Sequence, residues 1–452
     1  MPHVTLVYAS LGRRRDGTFV KSWLQQPLCI GVLAALTPAN WRYTFFDDRH
    51  EALDYDRPTD LAAISIETYS ARRGYEIAAR FRQQGVPVVF GGYHPTLVPD
   101  EALQHGDAVC VGEAEAAWPA ILADAEAGRL QGVYKGGADL SRKLLPERGI
   151  FRGRPYLPLS LVETGRGCPN RCNFCSISAY FDATYRRRPV AHVVEDLETA
   201  DHRDVFFVDD NLTGDVDSAL ELFRAVRPMK RRWMTQTSLS SLDDRAFVRE
   251  MAGSGCMGVL VGFESLDEAN LKSMRKGVNR VPQYRQALAN LRDAGIFVYG
   301  TFVFGYPHDT PDTVNQAVSF AIEERMMIAG LNHLVPFPGT PLYRGYEAEG
   351  RLNHERWWLS DNYVFGQVPF EPEKMSSAET ERQCLAARRR FYSIGGILRR
   401  SLDFRCNMAS PSRAALYFWV NSMLRREVSE KRDIPLGHRG APETAAAGGK
   451  GA

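Results

Sequence analysis

The chain has 452 residues, 44% of them hydrophobic and 24% charged. That is more than one apolar core can serve, and it fits a globular protein of two folded domains plus an appendage. A net charge of only +2 argues against a nucleic-acid or membrane partner. The most apolar stretch, Gly295 to Gly305, spans 11 residues, well short of the roughly 20 needed to cross a bilayer.

The N-terminus has no basic stretch leading into an apolar run, so no signal peptide and a cytoplasmic location are expected. In that reducing compartment the eight cysteines should not form disulfides. Cys29, Cys110, Cys256, Cys384 and Cys406 are scattered and read as small buried hydrophobes. Cys168, Cys172 and Cys175 cluster instead.

Residues 1–140 alternate short apolar strands with helical stretches, as a parallel α/β sheet does. The expected strands are Val4–Tyr8, Tyr43–Phe46, Leu61–Ile66, Val86–Phe90 and Ala108–Val111, with a helix over Gly74–Gln84. Gly91-Gly92-Tyr93-His94-Pro95-Thr96 and Gly112-Glu113-Ala114-Glu115 follow the last two strands. Open α/β sheets bind ligands at such carboxyl ends. Residues 140–155, with Pro146, Gly149, Gly153 and Pro155, read as a linker.

A second series, in residues 141–345, has strands at Leu159–Thr164, Asp204–Val208, Trp233–Thr237, Gly258–Phe263, Phe297–Phe304 and Leu331–Pro336. Six strand–helix units make an incomplete (β/α) barrel, with its chemistry at the strand ends. Residues 346–436 form a helical C-terminal region. Its helices, over 376–400 and 411–427, are basic and read as solvated faces. The Gly/Ala-rich end, 437–452, is expected to be disordered.

The decisive segment is Thr164-Gly165-Arg166-Gly167-Cys168-Pro169-Asn170-Arg171-Cys172-Asn173-Phe174-Cys175, directly after the first barrel strand. Three thiolates in a C-x3-C-x2-C loop can each hold one iron of a cubane cluster, and with no fourth cysteine nearby one iron stays open. Structural zinc is the competing use, but it takes four ligands, usually in two paired knuckles. Only one knuckle is present here.

Other polar residues stand where barrel strands end. Asp209 and Asp210 are adjacent carboxylates that point to opposite sides of the second strand, so one can face the cavity as a catalytic base. Asp210 or Asn211 also suits a helix N-cap. Gln236 and Thr237 are polar contacts at the third strand, and Glu264 stands at the fourth. Gly305-Tyr306-Pro307-His308-Asp309-Thr310 and Pro336-Phe337-Pro338-Gly339-Thr340-Pro341-Leu342 close the fifth and sixth. His308 alone reads as structural.

The cysteine spacing, with the aromatic Phe174 before the last cysteine, resembles the radical S-adenosylmethionine (radical SAM) superfamily. The resemblance implies that Cys168, Cys172 and Cys175 hold a [4Fe–4S] cluster and that the amino and carboxylate groups of S-adenosylmethionine chelate the open iron. Reductive cleavage then gives a 5′-deoxyadenosyl radical that abstracts hydrogen from an unactivated C–H bond. It implies cofactor contacts for Phe174, Gln236, Thr237 and Glu264, with Glu264 at the ammonium or ribose. It also implies a small-molecule substrate and an electron donor such as flavodoxin or ferredoxin.

The order of segments over roughly residues 1–400 looks like the subgroup with an N-terminal cobalamin-binding-type domain. Many such domains carry D-x-H-x-x-G after the first strand, where the histidine ligates cobalt. Here that strand ends Tyr8-Ala9-Ser10-Leu11-Gly12, and Asp48-Arg49-His50-Glu51-Ala52-Leu53 follows the second strand and lacks the glycine. Missing histidine and short chain make it similar to the radical SAM diol-dehydratase of aminoglycoside (apramycin-type) biosynthesis, an antibiotic-pathway lyase. Cobalamin-independent radical dehydration of a hydroxylated substrate is therefore the first expectation. Methylcobalamin-dependent C-methyl transfer, as in hopanoid or antibiotic methylases, is the alternative. An iron–sulfur or zinc protein using its first domain only for binding is the third reading.

Overall fold

The computed structural model describes residues 1–20, 24–430 and 432–438. Its first sheet contains β1 (His3–Tyr8), β2 (Arg42–Asp47), β3 (Leu61–Ser65), β4 (Val88–Gly91), β5 (Ala108–Val111) and β6 (Gly132–Lys135). They lie in the order β2-β1-β3-β4-β5-β6, and every pair is parallel. The order reverses between β1 and β3, the position at which doubly wound sheets open a ligand crevice.

Both faces of the sheet are covered. Ile77, Ala78 and Phe81 pack on one side, and Ile30, Trp118 and Ile121 on the other. That burial is why the strands read as continuous apolar runs. Two elements escape sequence reading. The helix Leu28–Leu36 has no polar face, so it lacks an amphipathic period. β6 has only four residues, two of them exposed.

The second sheet contains β7 (Ser160–Val162), β10 (Asp204–Phe207), β11 (Arg232–Thr237), β12 (Cys256–Glu264), β13 (Phe297–Phe304) and β14 (Ile328–His333). Its order follows the chain, with all strands parallel. This is the expected six-unit partial barrel. A further antiparallel pair, β8 (Gly165–Gly167) and β9 (Tyr185–Arg187), brackets the cysteine loop.

The expected linker is ordered: Arg148 and Phe151 are buried, and Arg148 donates to Asp196 Oδ1 at 2.6 Å. Glycine and proline there mark turns rather than slack. After Leu342 the chain first packs Trp357, Trp358 and Tyr363 against the N-terminal domain. Three helices then follow, Ser377–Phe391, Ile394–Ser401 and Pro411–Glu430. The expected single helix over 376–400 is broken at Ser393, which caps the second helix through the Gly396 N–H. Leu436 is buried and Gly437 N–H donates to the Leu11 carbonyl at 2.9 Å, so the chain is ordered past the expected onset of disorder at 437. The rest of that tail, from 439, lies outside the described residues.

Candidate active site

The cysteine loop is built by local backbone constraints. A Cβ at Gly167, whose φ is +85°, would stand 2.2 Å from the Thr184 carbonyl oxygen; one at Gly165 would stand 2.7 Å from that of Arg186. Only glycine lets β8 approach β9 this closely. Cys168 and Cys175 are half-buried and Cys172 is buried. Burial pushes the Cys172 thiol up to about 12, against the pull of the Lys276 ammonium, and also raises Cys175. Metal ligation needs thiolates, so this environment favours the charged form only with a cationic centre among the sulfurs.

Among the described residues, no group of three His, Cys, Asp or Glu could hold a single metal ion. A single zinc ion gathers its sulfurs at about 2.3 Å, whereas a cubane takes one thiolate at each of three separate irons. Three cysteines on one loop, with Lys276 as countercharge, therefore suit the cluster.

Long-range side chains fix this loop. Asn173 Nδ2 donates to the Ser273 carbonyl at 2.9 Å, and its Oδ1 accepts from Tyr306 Oη at 2.9 Å. Phe174 meets the Tyr306 ring edge-on, with centroids 6.4 Å apart. Asn211 Nδ2 reaches Cys168 Sγ at 3.7 Å, and its Oδ1 accepts from the Ser238 N–H at 3.1 Å. Asn211 thus ties β10 and β11 to the first cysteine, a role beyond the cap that its sequence context suggests. The cap of the helix Val216–Val226 is Asp215.

Asp209 and Asp210 point in different directions, and both hold backbone. Asp209 is 1% exposed. Its Oδ1 accepts from the Thr164 N–H at 2.7 Å and its Oδ2 from the Thr164 hydroxyl. Burial pushes Asp209 up to about 7 against those bonds. Asp210 is half-buried and accepts from the Gly167 N–H at 3.0 Å; burial pushes it up to about 6.

Glu264 sits at φ +62°, where the β12–β13 register shifts. It is buried, and its Oε1 lies 2.5 Å from Lys276 Nζ. Burial works against the ammonium, yet Glu264 and the thiols hold Lys276 above its usual value. Lys276 carried no sequence signal, because nothing in a loop lysine announces a partner 12 residues upstream.

Burial alternates along the barrel strands, so inward-facing residues are separable from outward ones. Phe206, Met234, Gln236, Leu260, Tyr299, Thr301 and Val303 are half-buried, while their neighbours Phe207, Trp233, Thr235 and Phe302 are buried. Gln236 faces the interior. Thr237 has the opposite parity, and its hydroxyl bonds Thr213 Oγ1. Asp309, also unassigned from sequence, accepts from the Gly305 and Tyr306 N–H groups at 2.9 and 3.0 Å, shaping the turn that carries Tyr306. His308 only offers its backbone N–H to Asn270.

A cleft separates this loop from the first sheet. It encloses about 1380 Å³, part of it open to solvent, and is lined by the ends of β1, β3, β4 and β5 together with Arg166, Tyr180, Phe181 and Val208. A Cβ on Gly91 would meet nothing within 4 Å, so β4 ends in bare backbone at the cleft wall. Arg166 joins the two sides: it donates to Glu163 at 2.9 Å and to Glu113 at 2.7 Å, and pairs with Glu115 at 2.6 Å. The Gly-Glu-Ala-Glu turn and the cysteine segment, both conspicuous in the sequence, meet here. Asp48 faces elsewhere, sealed between Arg13 and Arg73 at 2.8 and 2.9 Å.

Residues 162–321 match the Radical SAM superfamily. Bacteriochlorophyllide d C-12(1)-methyltransferase of Chlorobaculum tepidum is 29% identical over 83% of this chain and 85% of its own. Hopanoid C-2 methylase of Rhodopseudomonas palustris is 25% identical over 72% and 64%. Among solved structures, the radical S-adenosylmethionine methyltransferase TsrM of Kitasatospora setae, with cobalamin and a [4Fe–4S] cluster bound, superposes with a TM-score of 0.62 at 19% identity, covering 85% and 82%. The cobalamin-dependent radical enzyme OxsB superposes at 0.64 and 14% identity, covering 95% and 72%. With its cysteine loop and partial barrel, the chain carries a radical SAM domain over residues 162–321, and over most of its length, the preceding 2-1-3-4-5-6 sheet included, it shares the fold of these cobalamin-dependent radical SAM enzymes.

Proposed function

We propose that this radical SAM enzyme transfers a methyl group to carbon, with a corrinoid in the cleft between its two sheets. The observation that carries the reading is the cleft: it opens at the switch point of the first sheet, has bare backbone at Gly91, and abuts the cysteine loop through Arg166 and Tyr180. The methyltransferases among its relatives support the same reading. When bound, cluster and S-adenosylmethionine supply radical hydrogen abstraction, and a corrinoid supplies the methyl group.

The chain's own residues hold these parts in place. Cys168, Cys172 and Cys175 would ligate the cluster, with Lys276 offsetting its negative charge. Asp209, Asp210 and Asn173 fix the loop backbone. Gln236 faces the barrel interior, where it can contact S-adenosylmethionine or substrate. Phe206, Met234, Leu260, Tyr299 and Val303 give that interior a mainly apolar wall. A hydroxyl-rich aminoglycoside would leave many polar groups unpaired against it, so the reading moves from dehydration to methylation of a largely apolar small molecule.

The test is anaerobic reconstitution with S-adenosylmethionine bearing a deuterated methyl group, with and without hydroxocobalamin. Corrinoid-dependent appearance of label in an apolar substrate is expected. Turnover to a deoxygenated product by corrinoid-free enzyme would restore dehydration. A Cys172→Ala chain should form no 5′-deoxyadenosine.

A further inference from the structure

The outward face of the helix Ile394–Ser401 is apolar where a surface helix is ordinarily polar. Ile394, Leu398 and Leu402, spaced four apart, are 59%, 54% and 56% exposed, and Phe404 just beyond is 74% exposed. The opposite face already anchors the helix. Ile397 and Arg400 are buried, and Arg400 donates to the carbonyls of Met326, Met327 and Phe391. The helix therefore has a core-facing side and a second, uncovered apolar side. A contiguous exposed stripe of this kind marks an interaction surface.

Arginines flank the stripe. Arg389, Arg390, Arg399 and Arg405 are exposed. Arg390 donates to Ser319 Oγ at 2.9 Å and Arg405 pairs with Asp293 at 2.6 Å. Among the described residues, Arg389 and Arg399 make no ion pair. From Arg388 to Arg432 the sequence has eleven basic residues against three acidic, while the whole chain nets +2. The small net charge, read above as evidence against a membrane partner, averages away this asymmetry.

We propose that this face docks on an anionic lipid bilayer. The apolar stripe would lie at the headgroup–acyl boundary, with the arginines on headgroup phosphates. A second copy would set like charges against each other across the interface. An acidic electron-donor protein would sit at the wrong end of the barrel. The helix holds the N-terminal end of β14, through the Met326 and Met327 carbonyls and through Arg325, which donates to the Leu402 carbonyl at 2.9 Å. The cysteine loop follows the C-terminal end of β7. No helix among the described residues is long and apolar enough to cross a membrane, so the attachment lies on the surface. This inference does not depend on the methyl-transfer reading.

The test is co-sedimentation of the full-length, cluster-loaded enzyme with vesicles of phosphatidylcholine, alone or with one third phosphatidylglycerol. Binding to the anionic vesicles only, weakened by salt, is expected. A Leu398→Asp/Phe404→Asp chain should lose it. An Arg389→Glu/Arg399→Glu chain should bind at least about tenfold more weakly. Both should keep wild-type iron content and 5′-deoxyadenosine formation in vesicle-free buffer. Failure to bind anionic vesicles, or binding that the variants retain, overturns the proposal. So does a solution dimer that the Leu398→Asp/Phe404→Asp chain loses.

Discussion

Lys276 Nζ lies 2.5 Å from Glu264 Oε1, and both side chains are largely excluded from water beside Cys172. Removing one member of such a pair strands the other. Lys276→Met should cost about 3–5 kcal/mol, seen as a lower denaturation midpoint. The double variant Lys276→Met/Glu264→Gln should recover a good part of that loss. If it is no more stable than Lys276→Met alone, the two residues are not coupled.

Asp209 offers a choice between proton transfer and positioning. An asparagine can reproduce both contacts, accepting from the Thr164 N–H and donating to its hydroxyl. Asp209→Asn should therefore keep turnover within about tenfold, whereas loss of a general base costs about 10²–10⁴-fold. Asp209→Ala leaves the Thr164 N–H unpaired and should cost about 1–3 kcal/mol, together with lower iron content after reconstitution.

Gly91 lines the cleft with open space where a Cβ would go. Gly91→Leu should fold with wild-type thermal stability and fail to retain hydroxocobalamin through desalting. Undiminished corrinoid binding would place the ligand elsewhere.

His333 is buried and donates from its ring to the Leu334 carbonyl, and burial lowers it to about 4. The folded pKa is below the unfolded value of 6.5. The neutral ring's contribution is thus complete above pH 6.5 and is lost as pH falls toward 4. The loss approaches about 3 kcal/mol. Urea midpoints of wild type and His333→Gln, compared between pH 7.5 and 5, should differ in slope, with the wild type losing more.

Asp48 sits between Arg13 and Arg73 with no exposure. Asp48→Ala removes the carboxylate that two buried guanidinium groups share and should cost at least about 3 kcal/mol. Corrinoid binding by the folded fraction should be unchanged, because Asp48 does not line the cleft. Calorimetry and desalting separate the two effects.

The cysteine loop and both strand series were legible in the sequence because their determinants are local. Cys168, Cys172 and Cys175 fall within one short loop, and a buried parallel strand is an apolar run wherever it occurs. The helix Leu28–Leu36 and strand β6 were not legible, because one lacks a polar face and the other is too short to show a period.

The sequence alone determined the three clustered thiols that can serve as donors, the two α/β units and their order, since spacing and periodicity act between near neighbours. Only the tertiary structure decided what surrounds those donors. Register and strand parity turn Gln236 inward and Thr237 outward, and bring Tyr306 to Asn173 across 133 residues. They also set Lys276 beside Glu264 and Cys172, and lay Arg166 against Glu113 and Glu115 across the cleft. Such contacts depend on where each backbone is placed by the packing of all the others, which no short window of residues encodes.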